Sequence, residues 1–331
     1  MKKTIFTFTL ILIFLTAPLY AQRTYNIASV VPANSEWGRV LDRLAAEWTR
    51  ATNNEINFKV FHDSVAGTEL DVLRKLKMNE IQIAVFSTVG LSAIAPEIMT
   101  LSVPFMIRTD AELDIILENA KGDLERLMNS KGVHVLAWAR AGWVRFFTKT
   151  PVFTPAELKR VNLGTVEGQP QLTQTFRTMG YQLVPVDTSQ MLFTLNSGRI
   201  DGFFHSPLIV AGNQFFGITN HMTNLNIAPV MGGLVINQQA WRTIPERYRS
   251  RILEIGKSVE KEMDNSIIRL ETEAINTMKQ YGLIIHDVTP AQAQAWYDDT
   301  DKAMPNLLGR TYDRTLYNRF TAILRDYRAR R

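Results

Sequence analysis

The chain of 331 residues is 46% hydrophobic and 21% charged, which suits two medium-sized globular domains and excludes a disordered protein. Its 37 basic residues only slightly outnumber its 32 acidic residues, so a nucleic-acid-binding function is not expected. It contains no cysteine, as suits an exported protein that avoids disulfide chemistry.

The first residues predict export. Lys2 and Lys3 precede an apolar run from Ile5 to Leu15, and cleavage is expected after Ala21. The run is shorter than the ~20 residues that a membrane-spanning helix requires, so a signal peptide is favoured over an anchor. We therefore predict a periplasmic or secreted protein with a mature net charge of about +3.

Strand and helix patterns alternate along the rest of the chain. The predicted strands are apolar and rich in β-branched residues: Tyr25–Val31, Ile56–Phe61, Ile81–Phe86, Val133–Trp138, Val144–Thr148, Leu163–Val166, Tyr181–Val184 and Met231–Ile236. The predicted helices between them are Glu36–Thr52, Thr68–Met78, Asp110–Asn129, Gln169–Met179 and Ser189–Asn196. This alternation predicts an α/β fold.

The longest helical pattern follows Trp241. Thr243 and Glu246 have the spacing of a capping box, and apolar residues then recur three and four positions apart as far as Met278. Gly282 ends the pattern. One long helix is favoured over a coiled-coil seam, because the spacing is not a strict heptad.

The C-terminus carries a basic cluster of Arg325, Arg328, Arg330 and Arg331, which we predict to be a solvated tail.

Several short segments carry a family resemblance through their order and spacing. They include Val60–Glu69, Met78–Ala84, Val103–Phe105 and Gly198–Pro207. Together they resemble the periplasmic solute-binding proteins of TRAP-type transporters, the DctP-like family. In many of these receptors, a strand of the second domain carries an arginine that binds a substrate carboxylate through two hydrogen bonds. Gly164 stands at that position here, so the chain resembles a branch that lacks this arginine.

The resemblance implies an α/β, two-domain periplasmic-binding-protein fold (type II-like), with a long helix spanning both domains. We predict a signal peptide at 1–21. Domain I would comprise 22–145 plus about 237–285, and domain II 146–236 plus about 286–331 with the C-terminal helices.

Arg145 is our candidate partner for an anionic ligand group, because Gly142–Arg145 resembles the family's entry into the interdomain strand. Its guanidinium would offer several fixed donors to a carboxylate. A structural ion pair is the alternative role. The other predicted ligand-binding residues are Asn34, Phe86, Ser87, Trp143, Gly164, Glu167, Phe204, His205, Ser206 and Met231, for several of which a core position is the alternative.

Small or apolar residues at Pro32, Ser87 and Gly164 favour a ligand of low polarity, since buried polar groups without partners cost roughly 1–3 kcal/mol each. The predicted function is a receptor that captures a small organic ligand, a hydrophobic or monocarboxylic acid, and delivers it to a TRAP-type permease. A receptor for an uncharged ligand and a non-transport scaffold remain alternatives.

No catalytic role is predicted. The five histidines lack the HExxH spacing, and no Gly-x-Ser-x-Gly motif occurs. We expect no cofactor, metal or nucleic acid, and we expect a monomer rather than a dimer. The resemblance implies permease subunits as partners and leaves an accessory periplasmic protein open.

Overall fold

A computed structural model describes residues 23–165 and 170–330. The predicted signal peptide lies outside the described residues. The strands are β1 (Arg23–Ala28), β2 (Ile56–Phe61), β3 (Ile83–Phe86), β4 (Val133–Thr148), β5 (Asn162–Thr165), β6 (Gln182–Pro185), β7 (Gly202–His205), β8 (His221–Asn224), β9 (Ala228–Asn237) and β10 (Ile284–Asp287). The helices are α1 (Glu36–Ala51), α2 (Glu69–Lys77), α3 (Thr88–Ile94), α4 (Asp110–Ser130), α5 (Pro155–Leu158), α6 (Pro170–Thr178), α7 (Met191–Asn196), α8 (Pro207–Gly212), α9 (Gln238–Thr243), α10 (Glu246–Gln280), α11 (Pro290–Leu307) and α12 (Arg314–Arg328).

Two sheets share the long strand β4. The first has the order β2-β1-β3-β9-β4, and the second continues as β4-β7-β5-β6, with β8 also paired to β4 and β10 to β8. β4 pairs with β9 as far as Val144 and with β7 from Arg145 onward. The chain therefore forms the predicted two-domain α/β fold, and it crosses between the sheets along β4 and β9.

The crossing strand differs from its prediction. Two separate strands were expected at Val133–Trp138 and Val144–Thr148, but the structure joins them into one. The register with β9 shifts between Arg140 and Trp143, next to Gly142, whose φ of 84° is the left-handed conformation that glycine favours. A bulge at this glycine allows the strand to continue through a segment that interrupts the apolar pattern.

The long helix α10 confirms the spacing argument. Its 35 residues extend about 52 Å, from α1 and the first half of β4 to α8. The capping-box prediction is wrong, because Pro245 occupies the N-cap and makes no side-chain cap bond. The Thr243 hydroxyl is 2.6 Å from the Tyr25 hydroxyl and donates instead to the Ala240 carbonyl at 2.8 Å.

The predicted domain boundaries remain predictions. The C-terminal helix α12, which the sequence analysis assigned to domain II, packs against α4 of the first sheet's side. This docking also makes the solvated-tail prediction wrong for Arg328. Its guanidinium donates to both carboxylate oxygens of Glu112, at 2.7 and 2.8 Å, and to the Met106 carbonyl at 2.7 Å.

Gly256 provides a test of how α10 sits on β4. A Cβ added at this position would overlap the Leu136 carbonyl oxygen, because the helix lies directly on the strand backbone. We expect Gly256→Ala to lower the free energy of unfolding by about 2 kcal/mol or more in urea denaturation. Gly122→Ala, at an exposed position of α4, is the matched control and should stabilise by about 0.5–1 kcal/mol. Equal effects of the two substitutions would contradict this packing.

Candidate functional site

A cleft of about 790 Å³ separates helices of the first domain from the second domain. Its first wall is formed by α2 and α3, through Leu70, Val89, Ser92 and Ala93. Its second wall is formed by β5, α6, β6 and the residues after β6, through Thr165, Pro170, Thr173, Gln174, Arg177, Pro185, Val186 and Asp187. Because β5 and β6 are parallel, their carboxyl ends meet at one edge, where ligands bind in open α/β sheets.

The first wall offers few free polar groups. The Glu69 carboxylate accepts hydrogen bonds from the Ser87 amide at 2.8 Å, the Ser87 hydroxyl at 2.9 Å and the Gly90 amide at 2.8 Å. It thereby caps the start of α3. The exposed Ser87 and Glu69, which precedes Leu70, satisfy each other, and this leaves mainly apolar residues of the first wall to face a ligand.

The second wall carries one cation among the described lining residues, Arg177 in the last turn of α6. Its Nη1 donates to the Gln174 side chain at 3.3 Å, and no carboxylate among the described residues forms an ion pair with it. The Asp187 carboxylate accepts from the Ser189 hydroxyl at 2.6 Å and from its amide at 2.7 Å, and these bonds lower the pKa of Asp187. Arg177 is therefore available to an anionic ligand.

The remaining lining is largely small or apolar. Leu70 is 53% exposed, and Pro170, Pro185 and Val186 lie opposite on the second wall. The cleft can therefore receive a molecule with an apolar body and one anionic group. The sequence analysis did not predict Arg177 or Leu70 as site residues. The only sequence signal for them was a polar helix face next to the end of a predicted strand.

The predicted residues on the side of the first sheet, including Met231 in β9, lie beneath or beside this cleft. Phe86 is 1% exposed and packs under Gly90, while Met231 is also buried, and its carbonyl accepts from the Thr88 hydroxyl at 2.9 Å. Asn34 is exposed in the loop before α1, where its carbonyl accepts from Arg39 at 2.7 Å. None of these three lines the cleft, and their role in binding stays a prediction.

The predicted residues of the second domain are mostly core residues. A Cβ at Gly164 would lie 2.7 Å from Ile200 Cδ1, so the Ile200 side chain fills the space that a side chain here would need. Phe204 packs against Phe146 and Phe176, with ring centroids 6.4 and 5.0 Å apart. Glu167 lies outside the described residues.

His205 and Ser206 end β7 in a tight local arrangement. The Ser206 amide donates to His205 Nδ1 at 2.8 Å, and Ser206 is buried. Burial lowers the pKa of His205 to about 4, so its imidazole is neutral at pH 7. Neither residue lines the cleft, and their contact with ligand stays a prediction.

Arg145 and Trp143 line a different cavity, of about 140 Å³, between β4 and the long helix. Arg145 Nη2 is 3.7 Å from Glu271 Oε1, and Nη1 donates to Asn224 Oδ1 at 3.1 Å. The Trp143 indole donates to Asp110 at 3.0 Å. This geometry favours the structural ion pair that the sequence analysis kept as the alternative for Arg145.

Glu271 is the central acid of that cavity. Its carboxylate stands over Gly142, where a Cβ would lie 2.6 Å from Oε2, so the bulge of β4 makes room for it. Burial raises the pKa of Glu271 to about 7, with Asp110 adding to the rise, while Arg145 and a backbone hydrogen bond at Trp143 oppose it. The side chains of Glu271 and Arg145 are only 10% and 15% exposed.

The raised pKa predicts a pH-dependent stability. The folded state holds the Glu271 proton more tightly than the unfolded state, whose value is near 4.5, so stability is lost as the pH rises from about 4.5 through 7. From pH 5 to pH 8 we expect the free energy of unfolding of the native chain to fall by up to about 3 kcal/mol more than that of Glu271→Gln. Parallel urea titrations of the two proteins would show it, and identical pH profiles would contradict it.

Comparison with known proteins defines the class. The model of the DctP family, bacterial extracellular solute-binding protein family 7, matches residues 27–309, and the chain therefore belongs to this family. A solute-binding protein of Verminephrobacter eiseniae is 25% identical over 205 residues, which span 61% of each chain. The 2,3-diketo-L-gulonate-binding periplasmic protein of Escherichia coli is 23% identical over 252 residues, 75% of each chain.

A solved structure extends the similarity to the fold. The TRAP periplasmic solute-binding protein of Ochrobactrum anthropi superposes with a TM-score of 0.84 at 16% identity, over 94% of this chain and 98% of the other. The fold agrees with the family, whose members are solute-binding receptors rather than enzymes.

Two negative findings concern the described residues alone. In 23–165 and 170–330, no helix combines the length and apolar character that a membrane crossing requires. Over the same residues, no three His, Asp or Glu side chains are grouped in a way that could hold a metal ion.

Proposed function

We propose that this protein is a periplasmic receptor that captures a small monocarboxylic acid with an apolar body and delivers it to a TRAP-type permease. The supporting observation is the cleft itself, in which Arg177 lacks a carboxylate partner among the described residues and faces mainly apolar walls. Arg177 is exposed at the cleft, where its guanidinium can bind a carboxylate through charge-assisted hydrogen bonds. The predicted signal peptide supports the periplasmic location.

The relatives support an acidic ligand, whereas the cleft of this chain favours an acid that is less polar than theirs. The Escherichia coli relative is named for a sugar acid that carries several oxygen atoms. In this chain the Glu69 and Asp187 carboxylates are occupied by bonds to Ser87 and Ser189, so a polar ligand would depend mainly on Arg177 and on the hydroxyls of Thr165 and Thr173. Each unsatisfied buried group would cost about 1–3 kcal/mol, so an acid with an apolar body fits better.

Capture would proceed by closure of the two domains around the ligand. β4 and β9 cross between the sheets, and the bulge at Gly142 gives the crossing an irregular point. A ligand that contacts both walls favours the closed state by its additional contacts there. The closed receptor would then dock on the permease.

Octanoate and 1-octanol provide a matched pair of probes, since they share an apolar chain and differ in the carboxylate. We expect the native protein to bind octanoate more tightly than 1-octanol. Arg177→Leu should weaken octanoate binding about 10- to 100-fold while leaving 1-octanol unchanged, as expected for loss of a charge-assisted pair worth about 1.5–3 kcal/mol. Isothermal titration calorimetry measures both.

Arg160→Leu is the control for this test, because Arg160 is an exposed arginine that does not line the cleft. It should leave both affinities unchanged. If Arg177→Leu also leaves them unchanged, the carboxylate hypothesis at this site is wrong and an uncharged ligand is favoured.

Substitution of Arg145 tests whether this residue acts in the cavity beside the long helix rather than in the ligand cleft. Removing one partner of a buried ion pair destabilises strongly, so we expect Arg145→Ala to lower the unfolding free energy at pH 8 by about 2–4 kcal/mol. Octanoate affinity of the folded variant should remain within twofold of the native value. A large loss of affinity without a loss of stability would return Arg145 to the ligand site.

A further inference from the structure

A separate cavity of about 390 Å³ lies away from the cleft, among α11, α12 and the loop at 103–108. Its walls combine aromatic and apolar side chains with several charged groups. Among the described residues that line it are three arginines, Arg108, Arg325 and Arg328, and one acid, Asp301. The sequence analysis assigned no role to this loop beyond its family resemblance.

Arg108 is held rigidly without an ion-pair partner. Its guanidinium lies 3.5 Å from the centre of the Tyr297 ring, and its Nε donates to the Phe105 carbonyl at 3.3 Å. In residues 23–165 and 170–330, no carboxylate oxygen is close enough to form an ion pair with it. Its two terminal nitrogens have no hydrogen-bond partner there either, so they remain as donors at the cavity.

Phe105 provides a second, independent observation. It is a buried aromatic residue with a φ of 58°, a conformation that is rare for bulky side chains. Its amide donates to the Ile227 carbonyl at 2.6 Å, and its carbonyl accepts from Arg108. Unfavourable backbone conformations of this kind persist where the surrounding structure holds them, and they are concentrated at binding sites. Here the conformation orients the carbonyl that fixes Arg108.

The charges around the cavity favour an anion. Arg328 is neutralised by its two bonds to Glu112. Arg325 is 78% exposed, with Asp326 as a weak neighbour at 3.6 Å. Asp301 is the one acid among the described lining residues, and it forms no ion pair with Arg108 in the described structure. An oxyanion at Arg108 would therefore gain a charged partner, and it would be opposed by Asp301 and by Glu112, whose carboxylate accepts from the Arg108 amide at 2.8 Å but is paired with Arg328.

We propose that this cavity is a second ligand site, which binds a small oxyanion, the carboxylate or phosphate group of a solute, through the terminal nitrogens of Arg108. Arg325 adds a second positive charge at the rim. The stacking on Tyr297 keeps the guanidinium in place, so little conformational freedom is lost on binding. The site is independent of the cleft and of Arg177.

The test titrates the full mature chain with inorganic phosphate and, separately, with acetate, at constant ionic strength. Nitrogen-15 NMR follows the Arg108 side chain and the indole of Trp296, whose ring centroid lies 5.6 Å from that of Phe105. We expect saturable chemical-shift changes at these two groups in the native protein. Arg108→Gln should weaken the apparent anion affinity at least tenfold, as followed at the Trp296 indole. Saturation by phosphate alone assigns a phosphate site, and saturation by both anions assigns a general oxyanion site.

Two further variants keep the result decisive. Asp301→Asn removes the opposing charge with little change of shape, and we expect it to tighten phosphate binding at least threefold. Arg310→Gln removes an exposed arginine outside the cavity and should change nothing. Absence of saturable shifts in the native protein, or equal affinities in all variants, would overturn the proposal. If Arg108→Gln does not fold, an unchanged phosphate affinity in Asp301→Asn is sufficient to overturn the proposal.

Discussion

The arrangement of the molecule depends on direct contact between the long helix and the backbone of the crossing strand. Gly256 of α10 lies against the Leu136 carbonyl in the first half of β4, and Glu271 of the same helix lies over Gly142 at the bulge. Because both contacts require glycine, helix and strand approach more closely than side chains would allow. The long helix therefore holds the two sheets together along the same region in which β4 and β9 connect them.

This contact decides which side chains are left for ligand binding. Arg145 follows the bulge and turns toward Glu271, so its charge is used between helix and strand. On the other face of β4, Phe146 packs with Phe204 in the core. The residues that line the cleft come instead from α2 and α3 on one side and from β5, α6 and the end of β6 on the other. With Glu69 occupied by the cap of α3, Arg177 is the distinctive polar group of the described lining.

Periodicity in the sequence predicted the elements well and the side-chain directions poorly. Apolar spacing located α10 and the α/β alternation, because burial of one face requires such spacing. It divided β4 into two predicted strands around Gly142, because a glycine interrupts an apolar pattern. The positive φ that lets the strand continue depends on pairing with the partner strand. The direction of Arg145 depended on register, and a shift of one residue moves a strand side chain to the opposite face. Arg177 escaped notice because a polar residue on a helix is common, and only the facing domain makes it part of a cleft.

The central claim is that the cleft receives an acid with one carboxylate and an apolar body. Mass spectrometry of the small molecules released by denaturing protein purified from its native host tests it most directly. The account predicts a monocarboxylic acid with few other polar groups, present in the native protein and depleted in Arg177→Leu. A sugar acid, a dicarboxylate or an uncharged molecule recovered equally from both proteins would contradict it.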